Sequence, residues 1–341
     1  DQPRSRGLGD VYKRQGYSLY IGIPFCPSTC LYCSFTSYPL SAWEKRVDEY
    51  LDALEKEIDY TAEQYRERHL NTIYIGGGTP TTLAPYQLDR LIRKIKSSFD
   101  LSHLLEFTVE AGRPDSITKE KLEVLRSHGI SRISINPQTM KQETLEIIGR
   151  HHTVEQTVQS FLTARELGFD NINMDLIVGL PNENLEDVRH TMEQLEELQP
   201  DNVTVHSLAI KRAARLNMFK EDYTNLKMEN TWEHIEVTAD YCKRMGLQPY
   251  YLYRQKNMAG NFENVGYAKE GKAGIYNILI MEEKQTIVAC GAGASTKRVW
   301  NTPNPDGTHR IERCENVKDV ALYIERIDEM IERKKRLFAE E

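Results

Sequence analysis

Three cysteines, Cys26, Cys30 and Cys33, lie in the stretch Tyr-Ile-Gly-Ile-Pro-Phe-Cys-Pro-Ser-Thr-Cys-Leu-Tyr-Cys-Ser-Phe, directly after a short apolar run that reads as a strand. Four thiolates would close a tetrahedral zinc site or saturate an iron–sulfur cluster. Three hold a four-iron cluster and leave one iron free to bind something else, which makes that iron a reaction site. The alternatives are a zinc knuckle with a distant fourth ligand, or three unrelated buried thiols.

A second motif agrees with the first. Gly76-Gly77-Gly78-Thr79-Pro80 follows the strand-like run Thr72-Ile73-Tyr74-Ile75, and glycines without Cβ let backbone groups approach a ligand closely. Glu110 ends the run Phe107-Thr108-Val109-Glu110 and can accept hydrogen bonds from hydroxyls; a solvated strand-end charge is the alternative. Gln138 and Arg150 stand twelve residues apart. Asp175 is a charge in the apolar strand Asn173-Met174-Asp175-Leu176-Ile177 and needs a partner if buried. A structural Arg150–Asp175 salt bridge is as compatible with the sequence as a ligand role for either.

The elements that must position these residues follow from the apolar pattern. It predicts strands over 17–23, 72–76, 105–110, 131–135, 172–177 and 202–208. Between them lie amphipathic helices. Trp43, Val47, Tyr50, Leu51, Leu54 and Ile58 mark the first, and the others fall around 85–97, 118–128, 153–168 and 184–197. Distinctive polar residues fall at the C-terminal ends of nearly every strand, the last being His206 and Ser207. A barrel collects all those ends in one mouth, whereas an open doubly wound sheet concentrates a site at one switch point. The expected fold class is therefore α/β, a partial (β/α)6 barrel over residues 16–215. Residues 216–341 form a C-terminal α+β cap, with a helix at 229–246, strands at 249–254, 274–281 and 286–290, and a terminal helix striped by Val317, Val320, Ile324, Ile327 and Ile331.

Composition narrows the function classes. At 341 residues and 40% hydrophobic, the chain buries a large core. No apolar run reaches bilayer length, so no membrane span is expected. The net charge is −7 with both signs interspersed, and no basic stripe points to nucleic acid. Cys242, Cys290 and Cys314 stand singly without framework spacing and read as reduced thiols, which favours the cytoplasm. Residues 10–15, Asp-Val-Tyr-Lys-Arg-Gln, are encodable by a sequence resembling the mosaic end of transposase-based sequencing adapters. Residues 1–15 are accordingly expected to be non-native read-through, with the natural chain continuing upstream of Gly16.

The Cys-x3-Cys-x2-Cys spacing, its flanks and the glycine turn resemble the radical S-adenosylmethionine (radical SAM) enzymes. The resemblance implies a [4Fe–4S] cluster on Cys26, Cys30 and Cys33 whose open iron binds SAM, and reductive cleavage of SAM to methionine and a 5′-deoxyadenosyl radical. Tyr20-Ile-Gly-Ile-Pro-Phe-Cys26, the glycine turn, the Glu110 strand, Ile135-Asn-Pro-Gln138 with Arg150, and Met174-Asp-Leu-Ile-Val-Gly-Leu-Pro181 narrow it. Together they are similar to the oxygen-independent coproporphyrinogen III dehydrogenase family. Ser34-Phe-Thr-Ser-Tyr-Pro39, Val109-Glu-Ala-Gly-Arg-Pro114 and Tyr251-Leu-Tyr-Arg-Gln-Lys-Asn-Met-Ala-Gly260 resemble its HemZ-type branch, whose members carry a further N-terminal region.

That resemblance implies Tyr20, Gly77, Glu110 and His206 as contacts of the cluster-bound SAM. It implies Tyr32, Gly78, Thr79, Gln138, Arg150 and Asp175 as contacts of a second SAM. The implied reaction converts two coproporphyrinogen III propionates to vinyl groups with loss of CO2, which requires a tetrapyrrole substrate and a low-potential electron donor. Lys211, Arg212, Arg215, Arg254 and Lys256 are candidate partners for the substrate carboxylates. One position departs from the pattern: Phe35 stands where established dehydrogenases carry a fourth cysteine. The related haem-chaperone branch also lacks that cysteine but typically shows a His-Asn-x-x-Tyr-Trp segment, which this sequence does not contain. A haem carrier, with His151, His152 and His206 as candidate ligands, and a radical SAM enzyme acting on another tetrapyrrole or a methyl acceptor are the competing expectations.

Overall fold

The computed structural model describes residues 16–209, 214, 225–253, 262–283, 285–306 and 308–339. The predicted read-through segment, the boundary near 215, and Lys211, Arg212, Arg215, Arg254 and Lys256 lie outside the described residues.

Six strands run parallel in chain order: β1 Gly16–Ile23, β2 His69–Gly77, β3 Glu106–Gly112, β4 Arg132–Ile135, β5 Ile172–Val178 and β6 Asn202–Ser207. Helices α1 Val47–Gln64, α2 Pro85–Ser98, α3 Lys119–Ser127, α4 Gln142–Ile147, α5 Val154–Glu166 and α6 Leu185–Leu198 fall between them. Three of the helices start where side chains satisfy free N–H groups. Thr118 accepts from Lys121 N, Thr153 from Gln156 N, and Asn184 from Glu186 N and Asp187 N. Pro85 opens α2, where a missing N–H costs nothing.

The C-terminal part widens the same sheet at both edges. On one side, β7 Gln248–Tyr253 and β8 Asn264–Ala268 add antiparallel to β6. On the other, β9 Thr286–Cys290 lies parallel to β1, followed by antiparallel β10 Ser295–Pro303 and β11 His309–Glu315. The spatial order is β11-β10-β9-β1-β2-β3-β4-β5-β6-β8-β7, an open eleven-stranded sheet and hence a partial barrel. Helix α7 Trp232–Arg244 packs on α6, and α9 Val320–Glu325 and α10 Ile327–Ala339 pack on α1.

Side-chain alternation divides the sheet into two faces. Leu19, Ile21, Ile23, Ile73, Ile75, Phe107, Val109, Ile133 and Ile135 join the core beneath the helices. The opposite, inner face carries polar side chains that bond across strands. Thr72 donates to Ser18 Oγ at 2.7 Å, Asn173 to Ser134 Oγ at 2.8 Å and Thr204 to Asn173 Oδ1 at 3.0 Å. A polar lumen is thus built into alternate positions of every barrel strand.

Three expectations are corrected. Residues 274–281 are not a strand; Ile275–Met281 is helix α8, whose first amides, Ile275 N and Tyr276 N, donate to the Glu106 carboxylate at 2.6 and 3.3 Å. Since Glu106 begins β3, α8 packs at the strand N-terminal end, opposite the cysteines. The terminal helix is two, broken at Arg326, whose backbone leaves helical geometry. Trp43 precedes α1, between two single-turn 3-10 segments, rather than lying within the helix.

Candidate active site at the mouth of the partial barrel

The cysteine loop is bound to the barrel rim by its backbone. Gly78 N donates to Ile23 O and Thr79 N to Phe25 O, both at 2.7 Å, so the turn after β2 clasps the entry to the loop. Gly77 has φ +111°. A Cβ on Gly78 would stand 2.5 Å from Phe25 O and 3.0 Å from Cys26 Sγ, so only glycine lets the two segments meet. Farther along, Leu31 N donates to Ile148 O at 2.9 Å and Ser28 Oγ to Gly149 O at 2.8 Å. A small cluster of Leu31, Leu145, Ile148, Ile177, Leu180 and Leu208, with Tyr32 against it, supports the loop from below.

Each thiol has polar company. Thr79 Oγ1 donates to Cys26 Sγ at 3.4 Å, Ser37 Oγ lies 3.9 Å from Cys33 Sγ, and Arg113 Nη1 reaches Cys30 Sγ at 3.8 Å. Burial pushes the Cys26 thiol up to about 11 and also raises that of Cys33. Such thiols favour being neutral unless a cation binds them. Among the described residues, no three His, Cys, Asp or Glu side chains converge on a point at single-ion distances. A soft, all-sulfur donor set of three, one short of the four protein ligands of a structural zinc site, fits a four-iron cluster with one open iron.

From the loop a continuous set of contacts leads into the lumen. Tyr20 stacks on Tyr74 with centroids 6.2 Å apart, and Tyr74 stacks on Tyr276 at 4.5 Å. The Tyr74 hydroxyl donates to Glu110. Burial raises the Glu110 carboxyl to about 7, the Asp175 charge adding and the Tyr74 hydroxyl, Arg132 and His206 opposing. Asp175 goes the other way: burial acts to raise it, but His206, 3.7 Å away, and Asn173, donating at 2.7 Å, outweigh that and hold it below the usual carboxylate range. Two neighbouring carboxyls with opposed shifts are a common arrangement at functional sites. Tyr253 OH lies 3.3 Å from His206 Nδ1 and completes this corner.

Gln138 adopts φ +69° just beyond β4, and its backbone bonds to β5 on both sides, Gln138 N to Asp175 O and Ile177 N to Gln138 O, each at 2.9 Å. Its side-chain Oε1 is buried without a protein partner among the described residues. Arg150, 5% exposed, donates to Asn136 O and, at 3.4 Å, to Pro137 O, while its Nε has no partner there. Burial works against the Arg150 cation, but the Tyr32 hydroxyl and Cys30 thiol facing it more than compensate, so its pKa is raised. No Arg150–Asp175 ion pair forms; Asp175 pairs with His206 instead.

Three residues went unread in the sequence. Arg113 faces Cys30, Tyr74 bridges Tyr20 to Glu110, and Arg132 sits 1% exposed in the lumen with Nε and Nη2 unpartnered among the described residues. Tyr74 and Arg132 stand in register with Tyr20 and Thr108 on neighbouring strands. Inward alternation from Tyr20 and Glu110 was the available signal. Of the candidate haem ligands, His151 is exposed, His152 is fully buried and held neutral by burial, its pKa lowered to about 3, and His206 is engaged by Asp175.

Comparison with known proteins follows this geometry. The Radical SAM superfamily model matches residues 20–195. The chain is 44% identical over 329 residues to the oxygen-independent coproporphyrinogen-III oxidase-like protein HemZ of Bacillus subtilis, covering 95% of this chain and 65% of that protein. It is 36% identical to the heme chaperone HemW of Bacillus subtilis, covering 81% and 70%. With the oxygen-independent coproporphyrinogen III oxidase of Escherichia coli it shares 34% identity over 198 residues, only 43% of that enzyme. The solved structure of the Escherichia coli coproporphyrinogen III oxidase HemN superposes with a TM-score of 0.72 at 24% identity, covering 93% of this chain and 70% of that one, and shows the same fold. The chain thus spans less than two thirds of its HemZ relative and under half of the Escherichia coli oxidase. It belongs to the radical SAM superfamily, whose cofactors are a [4Fe–4S] cluster and S-adenosylmethionine.

Proposed function

We propose that this chain is the catalytic portion of an oxygen-independent coproporphyrinogen III dehydrogenase, converting two propionates of that tetrapyrrole to vinyl groups with loss of CO2 to give protoporphyrinogen IX. The observation that carries the reading is the junction of the cysteine loop with the Gly77–Thr79 turn directly above a lumen holding a carboxyl pair of opposed pKa shifts. When bound, the cluster and SAM would supply the radical chemistry for hydrogen-atom removal from the propionate carbon next to the ring, after which CO2 and one electron, taken by an acceptor, would leave to give the vinyl group.

The chain's residues hold and shield that chemistry. Cys26, Cys30 and Cys33 are the cluster ligands. Tyr20, Gly77, Glu110 and His206 hold the cluster-bound SAM, with Glu110 accepting from ribose hydroxyls when ionised. Tyr32, Gly78, Thr79, Gln138, Arg150 and Asp175 hold a second SAM, whose carboxylate suits the buried Arg150 guanidinium. Helix α8, tied to Glu106, packs against the far end of the lumen and helps exclude water. A low-potential electron donor supplies the cluster, nucleic acid is not a partner, and the compartment is the reducing cytoplasm. Among the described residues, no helix is long and apolar enough to cross a membrane.

A second reading, a haem carrier, is favoured by two observations. Phe35, at the position of the missing fourth cysteine, is 68% exposed beside the site, and 81% of this chain aligns with HemW. Anaerobic incubation of the full-length, cluster-reconstituted protein with SAM, reductant and coproporphyrinogen III separates the two. Release of CO2 with a divinyl product supports the dehydrogenase. Tight haem binding without decarboxylation supports the carrier.

A further inference from the structure

We infer that Arg113 sets the reduction potential of the cluster by donating a hydrogen bond to the Cys30 sulfur. It is a positioning residue that acts through a ligand, and the inference rests on the cluster ligation proposed above. Arg113 stands at the end of β3, outside the three-cysteine and glycine motifs, and is 2% exposed. Its fork is taken by Asp115, Nε to Oδ1 at 3.0 Å and Nη2 to Oδ2 at 2.6 Å. Asp115 is fixed in turn by the helical turn Pro114–Ser116, where Ser116 N and Oγ donate to Arg113 O at 3.0 and 2.8 Å. That leaves Nη1, which contacts Ser28 O at 3.0 Å, Ser28 Oγ at 2.8 Å and Cys30 Sγ at 3.8 Å.

The arrangement has the features of a tuning contact. A buried arginine is costly unless paired, and Asp115 pairs it, so the cluster faces an oriented N–H dipole on a nearly neutral unit rather than a bare cation. A donor at a ligating sulfur draws electron density from it and favours the reduced, more negative cluster. Bracing of the loop alone would need only the two Ser28 contacts, which hold residues 28–30 without touching a ligand. The Nη1–Sγ contact is therefore the part of this geometry that a purely structural role leaves unexplained.

The test uses the anaerobically reconstituted full-length protein with two variants. Arg113→Met with Asp115→Asn removes the donor without stranding a buried carboxylate, and Arg113→Lys keeps the charge but loses the fork. Iron and sulfide content and an electron-paramagnetic-resonance redox titration, without SAM, give the readout. The double variant is expected to hold a full cluster whose reduced-to-oxidised ratio at a fixed poise falls roughly tenfold, ~59 mV for a one-electron couple. Arg113→Lys should lie between it and the wild type. Full clusters with an unchanged midpoint in both variants would overturn the inference. So would folded variants that hold no cluster, since Arg113 would then act in assembly. A wild-type protein with no cluster signal would instead sink the ligation reading itself.

Discussion

Two buried polar regions flank β1 and differ in how completely they are bonded. Behind the loop that follows β9, Glu57 accepts from Gly291 N at 2.8 Å, Asn316 Nδ2 at 2.7 Å, the Tyr323 hydroxyl and Lys334 Nζ. Glu57 and Lys334 are 0% and 1% exposed. Burial alone would lower the Lys334 pKa, but the Cys290 thiol and Glu57 carboxylate outweigh it and raise it. Tyr50 OH joins this region to the barrel rim, donating to Gly22 O at 2.6 Å and accepting from Ala292 N at 3.1 Å. Only Asn316 Oδ1 of this group is left without a partner among the described residues.

The lumen on the other side is bonded incompletely. Gln138 Oε1, Arg150 Nε, and Arg132 Nε and Nη2 are buried and unpartnered among the described residues. Stranding such atoms costs about 1–3 kcal/mol each, so a chain retains them where a ligand supplies the missing bonds. The first region is structural, tying α1, α10 and the β9 loop together, while the second is shaped for something that is not protein.

The sharpest way to break this contrast is to cut the structural pair. Lys334→Met leaves Glu57 as an uncompensated buried charge and should cost about 3–5 kcal/mol in urea unfolding, with the double change Glu57→Leu, Lys334→Met recovering most of it. A cost below about 1 kcal/mol would show that the network is not the anchor it looks to be. Gly78→Ala, whose methyl would press on Phe25 O, should cost about 1–3 kcal/mol by overpacking and reduce cluster occupancy. Normal iron content in that variant would argue against the close fit of turn and loop.

Glu110 sharpens the comparison through pH. Its folded pKa of about 7 lies above the unfolded carboxylate value, so its contribution to stability is present below the unfolded value and is lost as pH rises through 7. SAM should bind the ionised form better, so affinity should rise through that same range. Glu110→Gln should flatten this dependence and weaken binding at pH 8 about tenfold, the loss of a charge-assisted hydrogen bond, as followed by isothermal titration. Arg132→Met should change stability least, within about 1 kcal/mol, because three of its five N–H donors, those on Nε and Nη2, are already unmet among the described residues. It should also move the pH midpoint of SAM binding upward, since Arg132 is one of the groups holding the Glu110 pKa down.

The barrel half was legible because its elements report locally. Capping residues Thr118, Thr153 and Asn184 and the alternation of β1 through β6 place helix starts and strand faces without tertiary information. The cysteine loop and the glycine turn stand out in the sequence for the same reason, the residues of each motif being close together. What failed depends on distant partners. Ile275-Tyr-Asn-Ile-Leu-Ile-Met is an apolar run that periodicity cannot assign to helix or strand, and its helix is capped by Glu106, 169 residues away. Strands β8, β10 and β11 carry register shifts in the β8–β7 and β10–β11 pairings, which blur the two-residue period there. The Arg150–Asp175 alternative required knowing that His206 is the nearer partner, a fact of register between β5 and β6.

The central claim is that three thiols hold a cluster able to split SAM. Its most direct test is the yield of 5′-deoxyadenosine when anaerobically reconstituted protein meets SAM and a strong reductant. Wild-type protein should give product and Cys30→Ala none, with SAM recovered intact. Equal yields from both, or none from a wild-type sample of full iron content, would contradict the account.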